Sequence, residues 1–261
     1  MAGIMQGKKG LVMGVANDRS IAWGCAQALA REGARLAFSY QSPKAEQYVL
    51  PLFEQAGSEF HGVLDVLDEE AMRAFMEEVG RCFDGQVDFL VHAIAGGPQK
   101  GELGGGVSAV SREGFINSLL ISVYSLNLAL RFLRPFMAGR DAAAVTFSYL
   151  GSRRVMPAYD VMGVAKAALD SDVRYLASEL GVDGIRVNAI ESGSIMTRAA
   201  GGIKDYDRVV EGTQSRAPLS RPLTVEHIGD VALFLVSDLS RMITGHSLPV
   251  DGGFSILGFS A

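Results

Sequence analysis

The stretch Gly10-Leu-Val-Met-Gly14-Val-Ala-Asn-Asp-Arg-Ser20-Ile-Ala-Trp-Gly24 decides how this chain is read. Residues 10–13 form a short apolar run of strand type, and helical periodicity begins at Ile21. Gly14 lets the chain turn tightly where the strand ends. Ser20 stands at the N-cap position, so the helix presents free N–H groups and a positive dipole end to a pyrophosphate. Gly24 is expected to let the helix pack closely on the strand. The spacing is not G-x-G-x-x-G, and taken alone it reads equally as a turn before a capped helix. Its surroundings give it meaning.

Outward from this junction the same alternation recurs. Strand-like runs at 10–13, 35–39, 59–64, 89–93, 143–147, 186–189 and 247–250 alternate with helical patterns at 21–32, 44–56, 69–82, 112–137, 159–180 and 225–237. Such alternation implies right-handed crossovers. It predicts a doubly wound, Rossmann-type α/β fold with a seven-stranded parallel sheet and helices on both faces. No repeat, low-complexity tract or linker divides the chain, so residues 1–261 are expected to form a single domain. Two irregular segments follow strands and therefore fall at the carboxyl edge of the sheet, where such folds bind ligands. One is the glycine-rich stretch 96–106, and the other is 194–217, expected to cover the substrate.

The composition narrows the class. Of 261 residues 48% are hydrophobic, enough for a large core, and the net charge of −5 with no basic stripe argues against nucleic-acid binding. The start lacks a long apolar leader. The most apolar stretch, 115–137, is interrupted by Asn117, Asn127, Arg131 and Arg134, so no membrane span and a cytoplasmic location are expected. Cys25 and Cys82 lie in helical patterns and read as free thiols. The four histidines show no metal spacing, so no metal is expected. His92, at a strand end, reads as a packed, hydrogen-bonded side chain.

The chemistry is concentrated in Tyr159-Asp-Val-Met-Gly-Val-Ala-Lys166. Seven residues at about 100° each bring phenol and ammonium to one helix face. The phenol can reach a reacting oxygen, and the ammonium can hold a neighbouring hydroxyl and favour the phenolate. Together they suit a developing oxyanion. Tyr149 lies ten residues upstream at a strand end. Ser122 reads as a helix-capping or bulge-filling residue. After the second strand, Ser39-Tyr-Gln41 carries neither the acidic residue that favours NAD nor a basic one, although Lys44 is near. Gln41 can donate to ribose hydroxyls, so NADH is expected ahead of NADPH. Asp65-Val66 after the third strand suits an adenine edge, while Asp65 alone reads equally as the cap of the next helix. Ala93-Ile-Ala95 after the fourth supplies small backbone surface against a ribose.

These segments resemble the short-chain dehydrogenase/reductase superfamily and, within it, the bacterial NADH-dependent enoyl-acyl-carrier-protein reductases. The matching residues are GVANDRSIAWG at 14–24, FSYQ at 38–41, LDV at 64–66 and HAIA at 92–95, followed by SREGF at 111–115 and SYLGS at 148–152. The match continues through RVMPAYDVMGVAKAALDSDVRYLA at 154–177, GIRVNAI at 184–190, GIKDY at 202–206 and VDGGFSI at 250–256. Most of the superfamily places three residues between the tyrosine and the lysine. Here six intervene, with Gly163 among them, which disfavours an ordinary ketone reductase.

The resemblance implies reduction of enoyl thioesters in type II fatty-acid synthesis. Tyr159 would meet the thioester carbonyl, Lys166 the nicotinamide ribose, and Tyr149 the acyl pocket. Gly14, Ser20, Ile21, Gln41, Asp65, Val66, Ala93, Ile195 and Thr197 would contact NADH. Ala95 and Gly96 would border the substrate, and Ile203, Tyr206 and Val209 would belong to a substrate-covering helix. It also implies an acyl carrier protein as partner and a homotetramer, in keeping with the broad apolar faces of 112–137 and 159–180. Arg198, Lys204, Arg208, Arg216 and Arg221 are candidates for an acidic carrier's docking patch. Gly96 stands where relatives often carry an aromatic residue, and Ser192-Gly-Ser-Ile-Met-Thr197 departs from their Ala-Gly-Pro-x-Arg/Lys-Thr run. Both departures border the acyl side. They keep open a paralogue acting on a specialised enone or carbonyl, or a silent dinucleotide-binding regulator.

Overall fold

The computed structural model describes residues 3–197, 200–203 and 205–258; Arg198 and Lys204 of the expected basic patch lie outside them. The described strands are β1 (Lys9–Met13), β2 (Arg35–Tyr40), β3 (Phe60–Val63), β4 (Phe89–His92), β5 (Ala143–Tyr149), β6 (Arg186–Ser192) and β7 (Ser247–Val250). They form one seven-stranded sheet in the order β3-β2-β1-β4-β5-β6-β7, parallel at every pairing. The helices are α1 (Ile21–Arg31), α2 (Glu46–Gln55), α3 (Glu69–Cys82), α4 (Arg112–Leu119), α5 (Ser125–Met137), α6 (Asp160–Leu180), α7 (Tyr206–Arg216) and α8 (Val225–Val236).

Side-chain alternation along the central strands builds a core on each face. Leu11, Met13 and Leu90 join Met76, Leu130 and Leu169 of α3, α5 and α6 on one face. Val12, Phe38 and Val91 join Leu29, Phe53 and Leu235 of α1, α2 and α8 on the other. Strands covered on both faces read as continuous apolar runs, and only the edge strands β3 and β7 contain no buried residue.

Several expectations are corrected. β5 runs two residues past the predicted end and β6 three, because the two pair in register from Ala143–Arg186 to Tyr149–Ser192. That pairing draws Ser148, Glu191 and Ser192 into the sheet, polar residues that an apolar pattern cannot flag. The predicted helix over 112–137 is interrupted by a wider π turn at Leu120–Tyr124. The whole run is long and apolar enough to cross a membrane by length and composition, yet Leu126, Leu130 and Leu133 are buried in the core. Gly24 does not serve packing on a strand. A Cβ there would lie 2.3 Å from the Val225 carbonyl oxygen, and one on Gly229 would lie 2.2 Å from the Gly24 oxygen, so the glycines let α1 and α8 cross in contact.

Candidate active site

The sheet order reverses between β1 and β4, and their carboxyl ends open a crevice. Gly14 turns there with φ +98°, and a Cβ on it would sit 2.1 Å from the Ala93 carbonyl oxygen. Only glycine fits that approach. Ser20 occupies the N-cap of α1 by backbone angle, but its hydroxyl does not cap the helix. The Oγ accepts instead from the Ala16 and Asn17 amides at 2.9 and 3.0 Å, shaping the loop before the helix. The first-turn N–H groups of α1, which include that of Ile21, receive no side-chain cap from Ser20.

Gln41 is exposed just past β2, with Lys44 in the turn beyond it. Asp65, exposed after β3, accepts from the Leu67 amide at 3.0 Å. Capping of α3 falls to Asp68, which accepts from Ala71 at 2.9 Å, so the capping alternative for Asp65 is removed. Val66 is half-buried beside it, packed on the core. His92 is fully buried between Thr146 and Ser125, at 3.1 and 2.8 Å, and burial pushes its pKa down to about 3, so it stays neutral. The π turn brings Ser122 to Gly96, where its Oγ accepts from the amide at 3.2 Å and donates to the carbonyl at 3.1 Å. This is a bulge-filling role. A Cβ at Gly96 would meet only Ile121 Cγ2, at 3.6 Å, so nothing packed against this glycine demands its lack of a side chain.

Across the crevice, three phenols converge. Tyr149 ends β5, Tyr159 caps α6, and Tyr206 opens α7. The rings of Tyr149 and Tyr159 stand edge to face, 4.8 Å apart at 61°. The Tyr149 hydroxyl is 2.9 Å from Ser194 Oγ. Gly151 makes room for the Tyr159 ring, since a Cβ there would lie 2.6 Å from its Cδ1. Gly163, one turn into α6, faces the Gly151 carbonyl. Burial first, then the neighbouring Tyr206 and Tyr149, hold the Tyr159 phenol well above its usual pKa. Burial likewise raises Tyr149 and Tyr206.

Of the two roles expected of Lys166, favouring the phenolate is the one the structure does not bear out. Its Nζ donates to the Phe147 carbonyl at 2.6 Å, its one hydrogen bond among the described residues, and it does not draw Tyr159 toward the phenolate. Burial lowers its pKa to about 8, opposed by Asp170, and leaves it mostly charged at neutral pH. The phenol is therefore a neutral donor.

The residues present fit a nicotinamide nucleotide. A buried ammonium has three N–H donors and uses one. The Ser148 and Ser152 hydroxyls are buried with no partner among the described residues, an arrangement that costs free energy unless a polar ligand meets them. Ile195 is half-buried just after β6, and Thr197 Oγ1 accepts from the Ala200 amide at 3.2 Å.

The side that holds Tyr149 and α7 is built by segments distant in sequence. A cavity of about 330 Å³ runs from Tyr149 and Ser194 past Thr213 to Leu223 and Phe254. An open cleft of about 570 Å³ lies between Met156, Pro157 and Ala158 on one side and Arg208, Val209 and Arg216 of α7 on the other. Ile203 and Val209 are half-buried, Tyr206 is buried and Ala95 is exposed. Sequence reading passed over three participants. Gln214 Nε2 donates to the Ser194 carbonyl at 3.1 Å. Arg153 makes a two-pronged ion pair with the buried Glu191, at 2.7 and 3.0 Å. Asp160 binds the glycine-rich loop. Only Asp160 carried a sequence signal, its place beside Tyr159. Among the described residues no group of three His, Cys, Asp or Glu side chains is placed to hold a metal.

The sequence profile of the family described as Enoyl-(Acyl carrier protein) reductase matches residues 14–255. The NADH enoyl-acyl-carrier-protein reductase of Aquifex aeolicus is 46% identical over 98% of this chain and 94% of its own length. A crystal structure of the Aquifex aeolicus enzyme superposes with TM-score 0.95 at 44% identity, covering 99% of this chain and all of that one. The Anaplasma phagocytophilum reductase, solved in complex with NAD, superposes with TM-score 0.93 at 38% identity, covering all of this chain and 98% of its own.

Proposed function

Because this chain belongs to the enoyl-(acyl carrier protein) reductase family, we propose that it reduces the trans-2 double bond of enoyl thioesters borne by acyl carrier protein, with NADH, in type II fatty-acid synthesis. One observation carries the reading. A phenol held neutral at Tyr159 has its ring 4.8 Å from that of Tyr149 at the carboxyl edge of the sheet, and two turns along α6 lies a buried lysine with unused donors.

NADH, when bound, supplies the hydride that adds to the β-carbon of the enoyl thioester. The chain's own residues then manage the charge that moves to the thioester oxygen. Tyr159 donates a hydrogen bond to that oxygen, and a donor fixed where charge develops lowers the barrier by roughly 3–4 kcal/mol. Being neutral, it has a hydrogen to share throughout, and a proton taken up from solvent at the α-carbon collapses the enolate to the saturated thioester. Tyr149 closes the wall beside it, its hydroxyl turned to Ser194. Lys166 offers its two remaining N–H groups to the nicotinamide ribose, and the orphaned Ser148 hydroxyl adds to that polar floor. Gly14, Ser20, Ile21 and Ala93 shape the pyrophosphate end, Gln41, Asp65 and Val66 the adenosine end, and Ile195 and Thr197 the nicotinamide end.

Residues 194–217 cover the acyl chain within a single domain, with Ile203, Tyr206 and Val209 against it and Ala95 and Gly96 opposite. The exposed Arg208 and Arg216 of α7, with Arg221 beyond, suit an acidic carrier protein at the mouth. Exposed Tyr124, Val164 and Tyr175 along the π turn and α6 suit burial in a homotetramer, and the setting proposed is the cytoplasm. NADH oxidation with crotonyl and longer enoyl thioesters, set against simple ketones, tests the reading. Turnover of the thioesters is expected, and turnover of ketones alone would overturn it.

A further inference from the structure

The glycine-rich stretch 96–106 looks loose in sequence but is held at its far end by α6. Asp160 Oδ2 accepts from the Gly104 amide at 2.6 Å and from the Gly106 amide at 3.3 Å, across 56 and 54 residues. Both glycines lie at φ +91°, a turn that aims their N–H groups to the same oxygen. Within the loop, Glu102 accepts from the Gln99 and Ser111 amides.

Asp160 is also the residue after Tyr159, and the backbone here is strained. Ala158 sits at φ +56° and Asp160 at φ +39°, left-handed conformations that non-glycine residues adopt only when their surroundings hold them. The phenol is thus flanked by two residues in an unfavourable conformation, and one of them is gripped by two loop amides. The loop in turn brings Gly104 to the wall of the cleft shared with Pro157, Ala158 and α7.

We infer that Asp160 is the positioning residue for Tyr159: its carboxylate clamps the glycine-rich loop, and the clamp holds the turn that aims the phenol at the reacting oxygen. The clamp also sets one wall of the acyl cleft, so loop order and phenol placement are linked through a single side chain. The inference rests on the reductase reading for its kinetic consequences, but the clamp itself is open to measurement without turnover.

The test uses the full chain carrying Asp160→Gly and Asp160→Asn. Glycine accepts φ +39° without strain, so Asp160→Gly removes the carboxylate and leaves the turn free to fold. Its expected effect is a kcat about tenfold lower on an enoyl thioester, with NADH affinity by fluorescence titration within about twofold of the parent. Hydrogen exchange of the Gly104 and Gly106 amides should become faster at the same time. Asparagine keeps an acceptor oxygen and should restore both most of the turnover and the amide protection. Parental kcat in Asp160→Gly, unchanged amide exchange, or an Asp160→Asn variant as impaired as the glycine would each overturn the positioning role. If the parent protein reduced no enoyl thioester, the reductase reading would fall, while the exchange measurement would still decide the clamp.

Discussion

The two ends of the crevice are assembled over different sequence distances. At the nucleotide end, the loop before α1 is shaped by Ser20 acting on Ala16 and Asn17, four and three residues away. At the acyl end, Ser122 reaches Gly96 across 26 residues, Arg153 reaches Glu191 across 38, Tyr149 reaches Ser194 across 45, and Asp160 reaches Gly104 across 56. A locally built site survives as a motif because few residues must agree. A site built from distant segments leaves no such motif, because its partners are scattered along the chain.

That contrast can be broken by removing the group on which both ends converge. Tyr159→Phe should lower kcat by roughly 10²–10³ with little change in NADH affinity, measured by steady-state NADH oxidation and by titration. A comparable loss of NADH affinity would mean that the phenol serves the cofactor end instead. Lys166 gives the next largest effect. Its pKa of about 8 lies below the 10.5 of the unfolded chain, so between those values the unfolded state holds a proton that the folded state has lost. The Lys166 contribution to the stability of the cofactor-free protein therefore rises with pH across that window, against the opposite contribution of Cys25 and the buried phenols, so the urea-unfolding stability of the parent relative to Lys166→Met should rise by up to about 3 kcal/mol.

Gly14→Ala probes the nucleotide end where it meets the residue after β4. Positive φ and the Ala93 carbonyl oxygen both oppose a Cβ, so a loss of about 2–3 kcal/mol in stability is expected, with NADH affinity falling further than affinity for the enoyl thioester. Ser194→Ala probes the distant end and should act in the opposite sense. It removes the partner of Tyr149, and a rise of a few-fold in KM for the enoyl thioester, about 1 kcal/mol or less, should leave NADH affinity alone. If both variants moved the two affinities equally, the division between the ends would not hold.

Much of the fold was legible before any coordinates. The alternation of runs predicted the seven parallel strands, because strands covered on both faces must be apolar throughout. The turn at Gly14 and the N-cap position of Ser20 were legible from position alone. Other features lay beyond pattern reading. The last residues of β5 and β6 are polar, and they extend the sheet only because they face each other. Gly24 serves a helix crossing that its sequence neighbours do not reveal. Lys166 was expected to favour a Tyr159 phenolate, yet it binds the Phe147 carbonyl and leaves the phenol neutral.

By itself, the sequence determined the order and kind of the secondary elements, the turn at Gly14 and the phenol-to-ammonium spacing, since each depends on residues within about two helical turns. The tertiary structure decided which way the ammonium bonds, how high the phenol titrates and what secures the glycine-rich loop. Those properties arise from burial and from partners 19 to 56 residues away, and only chain folding brings such partners within hydrogen-bond reach.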